Sequence, residues 1–248
     1  MILRWYQADP EEAPQLQLLL IKRKAHPFLG HYALPGGFVE PDEDTTQATI
    51  REVLEETHIA LDPLRIEQLE TFASPGRDPR AWVVSVAHIV YLPYDSGQEA
   101  VAGDDASAIC WANLSVTESG ALLLVDSESQ DFIHDLAFDH ELIITKAVRR
   151  LSNKLEYHPT VLSLLPSTFT IKDVRAIFDV FNHPQFRHVG MTAFRLRSFA
   201  SNVSDVANLD VKSCAYSEQN KTLAVYDAKN SLNILNKKDL KPINKFDL

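Results

Sequence analysis

The chain has 248 residues, 45% hydrophobic and 23% charged, with a formal net charge of −10. That length admits one large domain or two modest ones, and the composition is that of an ordinary globular chain rather than a disordered or fibrous one. No apolar run approaches the ~18 residues of a membrane span and the first residues lack a signal-peptide core, so no membrane association is expected.

The two cysteines, Cys110 and Cys214, lie far apart without metal-ligand spacing. Such usage fits a reduced, cytoplasmic protein whose thiols pack rather than react. Charge is unevenly divided. Residues 1–150 carry 11 Lys and Arg against 25 Asp and Glu, a net of −14, and residues 151–248 carry 13 against 9, a net of +4. An acidic front and a basic rear suggest two parts with different partners.

In chain order, residues 2–6 read as a strand, 8–14 as a polar turn, and 16–21 as a buried strand ending in Lys22-Arg23-Lys24. A loop over 26–32 leads into Leu34-Pro35-Gly36-Gly37. The spacing then predicts a helix over 45–58. At about 100° per residue, Glu52, Glu55 and Glu56 share an arc of about 100°, with Ile50, Val53 and Leu54 opposite. One face would enter a core while the other brings three carboxylates to one point. Like charges so spaced weaken a helix by a few tenths of a kcal/mol per pair. A hard divalent cation such as Mg²⁺, which takes carboxylate oxygens together with water and phosphate, would offset that cost. The Gly36-Gly37 pair permits close approach of a ligand. The plainer reading of the same helix is a solvated acidic face.

Strands are expected at 64–72, 81–92, 106–114 and 122–124, with a polar loop over 95–105. The turn at 74–80 carries Arg77 and Arg80. It is either a solvated turn or a place where one of these planar guanidinium forks meets phosphate or a terminal ribose. Strands in mixed order with few helices point to an α/β sandwich. A helical pattern over 131–156 then links the two halves.

Beyond it, Thr170 with Asp173 makes a capping-box-like start to a helix whose apolar face is Val174, Ile177, Phe178 and Phe181. A break at Asn182-His183-Pro184 precedes a short basic helix over 193–199, capped by Thr192. Two short helices of this kind suggest helix-turn-helix, although the connection over 181–191 is longer than the usual tight turn. A hairpin at 211–216 and 222–226 is either the wing of a winged helix or an ordinary hairpin. The tail over 232–248, with Lys237, Lys238, Lys241 and Lys245, gives no functional reading.

The spacing of Gly37, Glu43 and Arg51-Glu52-Val53-Leu54-Glu55-Glu56 resembles the Nudix box, with His58 standing where the box has a glycine. Histidine tolerates the left-handed cap that such a glycine serves better than most residues do. Further stretches resemble one branch, the Nudix-related transcriptional regulators of NAD metabolism. They are His26-Pro27-Phe28-Leu29-Gly30, Arg77-Asp78-Pro79-Arg80-Ala81-Trp82, Phe138-Asp139-His140, Leu164-Leu165-Pro166 and Phe169-Thr170-Ile171.

The resemblance implies a Nudix α/β/α sandwich with a mixed sheet over 1–150, binding ADP-ribose or a related nucleoside diphosphate. It implies an α+β winged helix-turn-helix domain over 151–248 that binds duplex DNA, in a homodimer. Glu52 and Glu56 would be the principal metal ligands with Glu55 in support, for Mg²⁺ or alternatively Mn²⁺. Arg51 would orient that catalytic cluster and pair with Glu43. Gly36, Gly37, Phe28, Arg77 and Arg80 would contact substrate. Thr170, Lys172, Arg175, Thr192, Arg195 and Arg197 would face DNA. Ala193-Phe194-Arg195-Leu196 departs from the family's Asn-Phe-Arg-Arg, and Arg197 could restore the missing charge. The complete glutamate set favours retained hydrolysis. The alternative is therefore an ADP-ribose pyrophosphatase-like Nudix hydrolase whose C-terminal half serves dimerisation.

Overall fold

Leu16, Gln17, Leu18, Leu19, Leu20 and Ile21 are six consecutive buried residues. A strand buried on both faces belongs at the centre of a sheet, and β2 (Gln15–Arg23) occupies that place. In this computed structural model the sheet has seven strands. Their order is β4 (Ile66–Phe72), β5 (Ser85–Tyr91), β1 (Ile2–Tyr6), β2, β6 (Ala106–Val116) and β7 (Leu122–Asp126), with the two-residue β3 (Tyr32–Ala33) also paired to β2. β1 and β5 run parallel and the other pairs antiparallel, so the sheet is mixed.

The structure describes residues 1–9, 11–103, 106–155, 158–166, 169 and 171–183, together with four later strands. Two compact units divide at residues 150 and 151. In the first, α1 (Thr45–Thr57) lies on the sheet. Its Val53 packs with Ile2, Leu19, Ile59, Leu61, Val90 and Leu92. Helix α2 (His140–Lys154) spans the division. The second unit contains α3 (Ile171–Val180) and an antiparallel sheet in the order β11 (Pro242–Asp247), β10 (Ser231–Asn236), β9 (Thr222–Asp227), β8 (Val211–Ser217). Val174, Ile177, Phe178 and Phe181 are all buried, as their spacing predicts. Among the described residues, no helix is long and apolar enough to cross a membrane.

Several expectations are corrected. Helix α2 begins at His140 rather than 131, because the preceding segment is held extended by bridges from Phe132 to Val125 and from Leu136 to Tyr32. Phe138, at φ 55°, interrupts helical geometry immediately before it. Strand β5 starts at Ser85, not 81. Residues 63–65 form a short 3₁₀ turn whose N-cap is Asp62. Tyr32, read as loop, and Ala33 pair with Lys22 and Ile21. The unread tail supplies two strands, β10 and β11, so the hairpin is part of a four-stranded sheet. The helix over 193–199 lies outside the described residues.

Candidate active site

The framing of α1 is local. Asp44 is its N-cap, accepting from the backbone N–H groups of Thr46 and Gln47 at 2.8 Å each, while Gln47 Oε1 accepts from the Asp44 N–H at 2.8 Å. This capping box satisfies N–H groups that a helix start leaves unpaired. The Asp44-x-x-Gln47 spacing is a local signal of this start that the expected helix over 45–58 did not use. At the other end His58 adopts φ 58°, ψ 16°, and its N–H donates to Leu54 O at 2.9 Å. The histidine thus takes the left-handed cap conformation that glycine ordinarily serves.

The carboxylates are arranged differently from the expected single outer face. Leu54 is exposed, and Glu56 lies within the buried side of the helix. Glu56 Oε2 accepts from the Gly36 N–H at 2.9 Å, which ties the helix to the glycine loop. Gly37 is placed against Glu52 so closely that a Cβ would come within 2.2 Å of Glu52 Oε1. Any side chain there displaces that carboxylate.

Arg51 gathers the rest. Its Nε and Nη2 donate to the two oxygens of Glu43 at 3.0 and 2.6 Å. Nη1 donates to Glu52 at 2.8 Å and to Glu55 at 3.1 Å, and Nη2 also reaches Phe38 O at 3.0 Å. These hydrogen bonds, those to Glu43 and Glu52 foremost, raise the Arg51 pKa. The bond to Arg51 is the largest cause holding the Glu43 carboxyl below its usual range.

Carboxylate oxygens are the donors a hard divalent cation takes, and the missing Cβ at Gly37 leaves room for the Glu52 carboxylate, so the donor set fits such an ion. Among the described residues no three acidic, histidine or cysteine side chains already converge as a cage. Instead, Glu52 and Glu55 share the Arg51 guanidinium.

A second set of groups, aromatic and cationic, gathers near Leu34 and Phe38. Leu34 N–H donates to His140 Nδ1 at 2.9 Å. Burial pushes the His140 pKa down to about 4, so its neutral form is the acceptor. Phe28 meets Phe138 edge-on at 4.8 Å between ring centroids. The guanidinium carbons of Arg23 and Arg80 lie 4.9 and 5.0 Å from the Phe138 ring centre, and that of Arg80 lies 5.8 Å from the Phe38 ring centre. These distances suit cation–π attraction.

Arg77 does not join this cluster. Its nearly buried guanidinium forks onto Asp139 at 2.6 and 2.8 Å and donates to Ser85 Oγ at 2.7 Å. Arg80 is paired with the buried Asp78 yet stays partly exposed. Sequence reasoning missed Arg23, Phe38, Phe138 and His140 as members of this end of the site. Only the Phe138-Asp139-His140 stretch had drawn attention, without a role.

Of the residues expected to face DNA, Lys172 is exposed on α3 and Arg175 pairs with Asp179 on the same helix, its Nε 2.7 Å from Asp179 Oδ1. Thr170, Thr192, Arg195 and Arg197 lie outside the described residues.

A mixed sheet carrying a glycine loop against an acidic helix is the framework of one family, and the NUDIX domain model matches residues 9–136. The chain belongs to the Nudix family. It is similar to an ADPR responsive transcriptional repressor, NtrR, of Acinetobacter baylyi, with 34% identity over 192 residues, covering 76% of this chain and 68% of that protein. It is also similar to an ADP-ribose pyrophosphatase of Methanocaldococcus jannaschii, with 40% identity over 133 residues, covering 54% of this chain and 66% of that one. Among solved structures, Shewanella oneidensis NrtR complexed with a 27mer DNA superposes with a TM-score of 0.54 at 25% identity, covering 85% of this chain and 82% of the other.

Proposed function

We propose that the protein is a transcriptional regulator of NAD metabolism whose Nudix unit binds ADP-ribose, or a related nucleoside diphosphate, and whose second unit binds duplex DNA. The observation that carries this reading is the extent of the repressor match. It takes in 76% of the chain, well beyond the 128-residue span of the Nudix match, while the pyrophosphatase match takes in 54%. The basic balance of residues 151–248 supports the same reading.

The site suits such a ligand. Phe28, Phe38 and Phe138 with Arg23 and Arg80 offer ring faces and positive charge to a base or ribose. The α1 carboxylates Glu56 and Glu52 meet the Gly36-Gly37 loop itself. Glu52 and Glu56, supported by Glu55, would hold Mg²⁺ or Mn²⁺. When bound, that ion neutralises diphosphate charge and lowers the pKa of a water. Gly37 keeps the Glu52 position open, Gly36 anchors Glu56, and Arg51 orients Glu52 and Glu55. In the second unit, Thr170, Lys172, Arg175, Thr192, Arg195 and Arg197 are the proposed DNA contacts, and a homodimer would present two such sets.

A second reading is favoured by one observation, the completeness of the Arg51 and glutamate cluster. It is hydrolysis of ADP-ribose at the same site, with or without DNA binding. Glu56→Gln keeps an oxygen to accept from Gly36 but loses the charge. Magnesium-dependent release of AMP from ADP-ribose should disappear in this variant, and undiminished turnover would remove the metal assignment. Arg195→Ala should weaken duplex binding and reduce the salt slope by about 1, because one phosphate contact is lost. Equal binding and an equal slope would remove Arg195 from the interface.

A further inference from the structure

A helix leaves its last four carbonyls without internal partners, and those of α1 belong to the turn that carries Glu55 and Glu56. The segment 98–103, distant in sequence, supplies what is missing. Val101 N–H donates to Thr57 O at 3.0 Å and Gly103 N–H to Glu56 O at 2.9 Å. His58 Nδ1 donates to Val101 O at 3.1 Å. Gln98 grips the next residues with its side-chain amide: its Oε1 accepts from the Ala60 N–H at 2.7 Å and its Nε2 donates to Ala60 O at 3.1 Å. Ala100 packs on the core cluster that contains Val53, which seats the segment from beneath.

The closest approach is at Gly103. A Cβ there would lie 1.9 Å from Glu55 O, 2.9 Å from Glu55 C and 3.0 Å from Glu56 Cα. Every one of these atoms is backbone, so no rotamer change can relieve the clash. Gly37 differs, because the atoms it meets are the end of a flexible side chain. A side chain at 103 must move either the strap or the helix turn that bears Glu55 and Glu56.

We propose that residues 98–103 form a clasp that fixes the carboxylate-bearing end of α1, with Gly103 and Gln98 as positioning residues for the metal ligands. This rests on the reading of those glutamates as ligands of a divalent cation. The clasp acts through backbone, so its effect falls on where the carboxylates point rather than on which groups are present. Partners that orient metal ligands typically cost about 10- to 100-fold in metal affinity or activity when removed.

The test uses the full chain with Gly103→Ala and Gln98→Ala. Three quantities are measured well below each variant's melting temperature. They are amide hydrogen exchange of peptides covering 52–60 without ligand, Mn²⁺ affinity by electron paramagnetic resonance, and kcat and KM for ADP-ribose. In Gly103→Ala, exchange should accelerate and Mn²⁺ affinity fall about 10- to 100-fold. The fall in turnover should appear in kcat, with KM within about twofold, as for an interaction felt mainly in the transition state. Gln98→Ala, which adds no atom, should move all three in the same direction by less, and it carries the test if Gly103→Ala does not fold. Folded variants with unchanged exchange and unchanged Mn²⁺ affinity overturn the clasp. So does a lower melting temperature with Mn²⁺ affinity intact, which is a purely structural role. Wild-type protein that hydrolyses nothing, alongside variants with faster exchange and weaker Mn²⁺ binding, supports the clasp and rejects the hydrolase reading.

Discussion

Single residues of the site, Gly37 and His140, each have a consequence that can be measured. At Gly37 the clash of an added methyl is with the Glu52 carboxylate itself. Gly37→Ala should therefore leave thermal stability nearly unchanged while lowering Mn²⁺ affinity about tenfold or more, as expected when a ligand is pushed out of place. Calorimetry and a metal titration on the same sample separate the two effects, and equal metal affinity would contradict the cradle.

His140 gives a pH signature. Its folded pKa of about 4 lies below the ordinary histidine value of 6.5, burial being the main cause. Between those values the unfolded chain takes up a proton that the folded chain refuses. The stabilisation is therefore complete above about pH 6.5 and is lost as pH falls towards 4, by up to about 3 kcal/mol at 1.36 kcal/mol per unit. Urea midpoints across this range should fall steeply for wild type. His140→Asn, which can still accept from the Leu34 N–H, should flatten the profile. The same slope in both proteins would assign it to other groups.

At the scale of elements, the turn over 74–80 and the start of α2 are joined by Arg77 and Asp139. Removing one member of a buried pair leaves the other charge uncompensated, at about 3–5 kcal/mol. Asp139→Asn should approach that range in chemical denaturation. Asp179→Ala, at the exposed end of the Arg175 pair on α3, should cost less than about 1 kcal/mol. Comparable losses would contradict the distinction.

Legibility in the sequence follows the range of the forces involved. Helix α1 was readable almost to the residue because its caps and box spacing are local. The start of α2 was not, since Phe132 and Leu136 are held extended by partners on β7 and β3. Leu54 looked like core by periodicity, yet the sheet lies against the side carrying Ala48, Val53, Glu56 and Thr57, and Leu54 is left outside. The cation–aromatic end was legible only in part: Phe28 and Arg80 were expected there, while Arg23 and Phe138 are brought to them from separate segments by the fold. Gly103 looked like an ordinary loop residue, because only the fold brings it against Glu55.

At the scale of the whole molecule, a regulator with the proposed nucleotide-binding and DNA-binding units works only if binding at one site changes affinity at the other, and we propose that the two are coupled. Coupling is reciprocal and typically amounts to about 5- to 150-fold in affinity. The direct measurement is fluorescence anisotropy of a duplex from the protein's own upstream region, titrated at several salt concentrations with and without ADP-ribose. Mg²⁺ is kept present, each reading is taken promptly after mixing, and intact ADP-ribose is verified at its end so that the nucleotide is not consumed. Binding should be salt-dependent, with a Kd that shifts at least about fivefold when ADP-ribose is added. Absence of binding even at low salt, or binding indifferent to ADP-ribose, would contradict the coupling.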